Sequence, residues 1–257
     1  YKGKDEDSDE SSWISNKERK DLFSLGGKAA KSTNKQSMSK QRNLSQEEKE
    51  RAGAEIKAKL RALIDEFNKS QDPTDKKRLV ELMRAQLCSA VELGISVDEL
   101  ASEVEKAYAE AVKESNSQAT PEQMALPAEI KEALDDAKEL EENKKRIDQL
   151  RTDLVNLRIQ GEETRKNLYT AAAEAEKELE AGSLSEGTRS KFFDACGAQA
   201  TNLNERSGKI EELYQACEKK RKHIQAIEGK QKELEKQEKA ERQVLKHHEA
   251  AVQKASS

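Results

Sequence analysis

A chain of 257 residues has room for one or two compact domains. Apolar residues make up 34% of it, charged residues 38% and aromatics 4%, with a formal net charge of −4. That balance excludes one large globular core, because ordinary domains carry roughly 45–50% apolar and about 25% charged residues. It leaves room for long helices, each burying one narrow stripe.

Acids and bases are interspersed, which reads as a solvated, salt-bridge-laced surface rather than a nucleic-acid footprint. No apolar run approaches the ~18–20 residues needed to span a bilayer, so no integral membrane segment is expected. The three cysteines, Cys88, Cys196 and Cys217, are widely spaced and contain no C-x-x-C pair. They read as small, half-buried free thiols in a reducing intracellular compartment, not as a disulfide framework or a zinc ribbon.

Residues 1–44 read as a disordered or extended arm, with too little apolar surface to offset the entropy of ordering it. An acidic cluster from Asp5 to Glu10 opens it, and a basic stretch runs from Lys28 to Arg42. Between them Trp13, Ile14, Leu22, Phe23 and Leu25 concentrate apolar bulk, as segments that dock on a partner often do. The basic stretch offers contact to nucleic acid or an anionic membrane surface. It lacks interleaved aromatics for base stacking, so a solvated tether is the expected reading.

Residues 45–115 predict a three-helix unit. Ser45 with Glu48 forms a capping-box pattern, and Ile56, Leu60, Leu63, Ile64 and Phe67 come after it at helical spacing. Asp72-Pro73 is a cap followed by a first-turn proline. Leu79, Val80, Met83, Leu87 and Val91 form the next stripe, which stops at Gly94. Ser96 with Glu99 predicts a second capping box, opening a helix that carries Leu100, Val104, Ala107 and Ala111. A core of this size is marginal alone and is expected to need another surface.

Residues 116–127 hold Pro121 and Pro127 and read as a linker; no proline occurs beyond them. Residues 128–255 then predict a long antiparallel coiled-coil hairpin, with its turn near 182–185. On the outgoing arm Leu140, Asn143, Ile147, Leu150, Leu154, Leu157, Gly161, Thr164 and Leu168 fall at alternating spacings of three and four. On the return arm the same frame picks out Leu203, Ile210, Leu213, Ile224, Ile227 and Leu234, with Arg206, Lys220, Gln231 and Glu238 as polar interruptions. The return arm is the longer, and its excess, carrying Leu245 and Val252, is expected to lie against the three-helix unit or bind a partner.

Motifs that carry chemistry are sparse. There is no G-x-x-x-x-G-K-[ST] and no strand-bounded G-x-G-x-x-G. His223, His247 and His248 lack the i, i+4 spacing of a helical zinc pair. No cofactor, metal or catalytic constellation is expected, and an enzyme is the least expected class. The fold class is therefore all-α: a small three-helix unit, then a long hairpin. The expected role is structural, a scaffold or adaptor that packs helix faces against protein partners or against itself within an assembly. A secreted or virulence-associated helical rod, translocator-like but without an integral membrane segment, is the alternative.

Overall fold

The structure is a computed structural model that describes residues 44–256. The apolar patch of Trp13, Ile14, Leu22, Phe23 and Leu25 and the basic stretch Lys28–Arg42 lie outside the described residues. The described residues form five helices in chain order: α1 (Gln46–Lys69), α2 (Pro73–Glu92), α3 (Val97–Ser115), α4 (Ala128–Glu180) and α5 (Glu186–Ala255). There is no strand among the described residues.

Local chemistry sets where each helix starts. At α1 the Glu48 amide donates to Ser45 Oγ at 3.2 Å, and the Ser45 amide donates back to the Glu48 carboxylate at 3.0 Å. This reciprocal box satisfies two donors the first turn cannot pair internally. At α2 the Thr74 amide donates to Asp72 Oδ1 at 3.0 Å, and Pro73 occupies the first turn, where its missing N–H costs nothing. Gly94 then leaves the helix at φ 83°, a backbone region that penalises any Cβ.

The start of α3 differs from expectation. Ser96 makes no side-chain cap; the Val97 amide donates instead to Glu141 of α4 at 2.8 Å. A distant carboxylate has displaced the local one, with an added benefit of negative charge at a helix N-terminus. The converse occurs at the end of α2. Lys144 Nζ donates to the carbonyls of Val91 and Glu92 at 3.0 and 3.1 Å, placing a cation on a helix C-terminus.

These two contacts belong to a shared core. Ile56, Leu60, Ile64, Leu79, Met83, Leu87, Leu100 and Val104 of α1–α3 form one buried cluster with Leu126, Ile130, Ala133, Leu134, Ala137 and Leu140. The start of α4, with Leu126 just before it, supplies the surface that the three-helix unit lacks. Each fully buried Leu or Ile adds about 1.5–3 kcal/mol, so the contribution from α4 is comparable to that of another helix.

Beyond that core α4 and α5 run antiparallel, joined by a turn in which Gly182 has φ 89°. The sequence also spaces Ser183 and Glu186 as a capping box, but the cap lies two residues further on. Ser185 is the cap: its hydroxyl accepts from the Thr188 amide at 3.3 Å. Its own amide donates to Glu178 of α4 at 2.9 Å, so the carboxylate half of the box comes from across the turn.

Candidate interaction surface

The hairpin seam forms where the heptad frame puts it on α4. Ile147 and Leu150 are buried, Leu154 and Leu157 half-buried, and Gly161 and Ala171 buried again. On α5 Leu213 is buried, while Ile210, Ile224, Ile227 and Leu234 are half-buried. Leu203 departs from the frame: it is 51% exposed, and its neighbour Asn202 is 3% exposed and faces α4 instead. The frame resumes at Arg206 and Ile210, so the departure is local: Asn202 takes the inward place opposite Gly161. Ala216, buried beside the exposed Cys217, is a second local departure, where the Asn143 side chain meets α5.

Polar contacts set the register of the two arms. Asn202 Nδ2 donates to the Leu157 carbonyl at 2.9 Å, and its side chain fills the hollow left by Gly161. A Cβ at Gly161 would stand 2.5 Å from Asn202 Oδ1. The Asn143 side-chain amide donates to the Ala216 carbonyl at 2.9 Å, and Thr164 Oγ1 donates to Gln199 Oε1 at 2.6 Å. Each pairing holds only in one alignment, as buried polar positions in coiled coils do. Asn202 was missed by the sequence pattern; a glycine at a seam position of a long helix was the signal for it.

Nearer the core a third helix joins the pair. The interrupting residues Lys220 and Glu238 of α5 turn towards α2, pairing with Glu92 at 3.2 Å and Arg78 at 2.9 Å. Lys230 meets Glu81 at 3.3 Å between them. Arg84 of α2 pairs with Asp136 of α4. The crevice between these helices, lined by Arg84, Cys88, Asp136 and His223, has a volume of about 20 Å³, room for one water and little else. Burial, with Glu92 and Glu228 nearby, pushes the Cys88 thiol up to about 11, so it is protonated at neutral pH. A protonated, half-buried thiol is a poor nucleophile.

The overhang of α5 behaves differently from expectation. Contact with the three-helix unit is made by Lys220, Lys230 and Glu238, not by Leu245 and Val252. Every residue from 239 to 256 is exposed, with Val244, Leu245 and Val252 at 69%, 59% and 52%. The antiparallel geometry explains this. The first turns of α2 meet Glu238, and no helix among the described residues lies alongside residues 239–256.

Large exposed apolar side chains share one location. Val155, Ile159, Tyr169, Leu179, Leu184, Phe193, Leu203, Val244, Leu245 and Val252 all belong to the hairpin, and none of this kind is found on α1–α3. Phe193 stacks under the Arg189 guanidinium at 5.5 Å and meets Phe192 edge-on. Among the described residues no helix is long and apolar enough to cross a membrane, and no three or more His, Cys, Asp or Glu side chains gather as a metal site. Compared with known proteins, the chain matches no family model, no curated sequence and no solved structure.

Proposed function

We propose that this chain is a structural spacer or adaptor whose hairpin packs against other helices, within a larger assembly or as a homo-oligomer. The observation that carries this reading is the segregation of exposed apolar bulk. The α1–α3 unit and the start of α4 bury theirs in one core, while α4, the turn and α5 display theirs along the outside of a long, register-fixed rod. Such anchors, spaced along a helix face, are what helix-to-helix recognition uses.

Cross-linking with mass spectrometry on native material tests it. Links to other chains are expected at hairpin lysines such as Lys166, Lys191, Lys232 and Lys246, and to be sparse at Lys57, Lys59 and Lys106 of α1 and α3. Intermolecular links concentrated on α1–α3, or none at all, would overturn the reading.

A further inference from the structure

We infer that the exposed end of α5, from Glu238 to Ala255, is the docking surface for a second copy of this chain, which lies antiparallel to it. The inference deepens the adaptor reading and rests on it. The three-four frame of the hairpin seam does not stop where α2 stops. It continues through Glu238, Glu241, Leu245, His248, Val252 and Ala255, all exposed after Glu238. The face is thus a direct continuation of an interface the chain already makes, and its apolar side chains Leu245 and Val252 are exposed.

The identity and direction of the occupant come from charge and register. In an antiparallel pair each a position packs against a d position of the partner helix. Here that sets Leu245 against His248 of the second copy, Glu241 against Val252, and Glu238 against Ala255. Arg242 then flanks Glu249 of the second copy, and the two-fold axis makes that pair twice. Val244 flanks Ala251, extending the apolar strip on the other side. A parallel pair is far worse: Glu238, Glu241 and His248 would each meet their own counterparts, and Arg242 would face Gln237. Like charges opposed across such a seam are destabilising. The antiparallel register also overlaps the whole free stretch, because it carries Ala255 of the second copy to the level of Glu238, where α2 takes over the face.

The interface spans fewer than three heptads, and the two-fold axis puts Glu238 or Glu241 in most of its layers. It belongs with weak, concentration-dependent contacts rather than obligate dimers.

Sedimentation equilibrium of the full chain tests the inference, over about a hundredfold range of concentration centred in the micromolar range. A reversible monomer–dimer equilibrium is expected. A chain ending at Lys239 should be monomeric throughout with an unchanged helical circular dichroism signal per residue of hairpin, since every described residue of the removed segment is exposed. Arg242→Glu and Glu249→Arg should each weaken dimerisation about tenfold, having turned two attractions into repulsions, and the double swap should restore it. A monomer at every concentration, a dimer that survives the truncation, or single reversals without effect or rescue would each overturn the inference. The adaptor reading would survive any of these results if cross-links to other chains still map to the rest of the hairpin.

Discussion

The two halves of the hairpin are built on different principles. At the base, from Ile130 to Leu150, α4 buries an apolar side chain on nearly every turn, and α1–α3 share the same core. In the outer half the buried residues are Gly161, Ala171 and Asn202. A glycine and an alanine contribute little transfer free energy, so the outer half relies on half-buried leucines and on side-chain amides bonded to facing carbonyls. The base is stabilised mainly by area, with Asn143 bonded across it to the Ala216 carbonyl; the outer half is aligned by hydrogen bonds and has little area in reserve. Beyond Glu238, α5 buries no described side chain.

The largest expected effect probes the base. Leu140 is 1% exposed, belongs to α4, and packs in the cluster that includes α1–α3. Leu140→Ala should cost about 2–5 kcal/mol in urea unfolding. Amide exchange should accelerate in α1–α3 as well as in α4. If only α4 loosens, the shared core is not one cooperative unit and the contrast between base and outer half fails.

A smaller effect separates register from area in the outer half. Gly161→Ala gains about 1 kcal/mol of helix propensity but drives a Cβ into Asn202, which must turn and lose its bond to Leu157. Overpacking of about 1–3 kcal/mol should outweigh the gain, for a net loss of about 1–2 kcal/mol. Gly208→Ala is the control: open space surrounds that position, so the same substitution should stabilise by up to about 1 kcal/mol. Adding Asn202→Ala to Gly161→Ala should relieve the clash. Thermal unfolding by circular dichroism reads all three.

How much of the fold was legible in the sequence depends on the range of each interaction. Capping at Ser45 and Asp72 and the breaks at Gly94 and Gly182 rest on neighbours in sequence, and local cap and turn signals located all four. The caps at Val97 and Ser185 draw on Glu141 and Glu178, which belong to other helices, so a local pattern pointed to the wrong partner for one and the wrong serine for the other. The heptad frame marked Ile147, Leu150 and Leu213 but placed Leu203 inside, because the hollow at Gly161 that draws Asn202 inward lies on the other helix. The overhang was visible as an excess of length. Its direction relative to α2 was not, because that depends on which side of the hairpin the three-helix unit occupies.

The smallest effect lies at the turn, where the contrast between local and borrowed chemistry is sharpest. Hydrogen bonds from the Thr188 hydroxyl and the Ser185 amide hold the Glu178 carboxyl below the usual carboxylate range. A group whose pKa is depressed in the folded state contributes stability above its unfolded value and loses it as pH falls through the folded one. The tip should therefore fray as pH drops below about 4.5, the ordinary glutamate value, while the base, which also loses the ion pairs of Asp75, Glu103 and Glu139, keeps its apolar core. Amide exchange at Ser185–Arg189 should report this as lost protection beyond the intrinsic pH dependence. Glu178→Gln keeps an oxygen to accept from Thr188 but has only one acceptor where the carboxylate offers two, so protection at neutral pH should drop and its acid dependence should vanish. A wild-type tip as protected at pH 3 as at pH 7 would show that the turn is held by Gly182 and the Ser185 hydroxyl alone, and that the carboxylate from α4 contributes nothing.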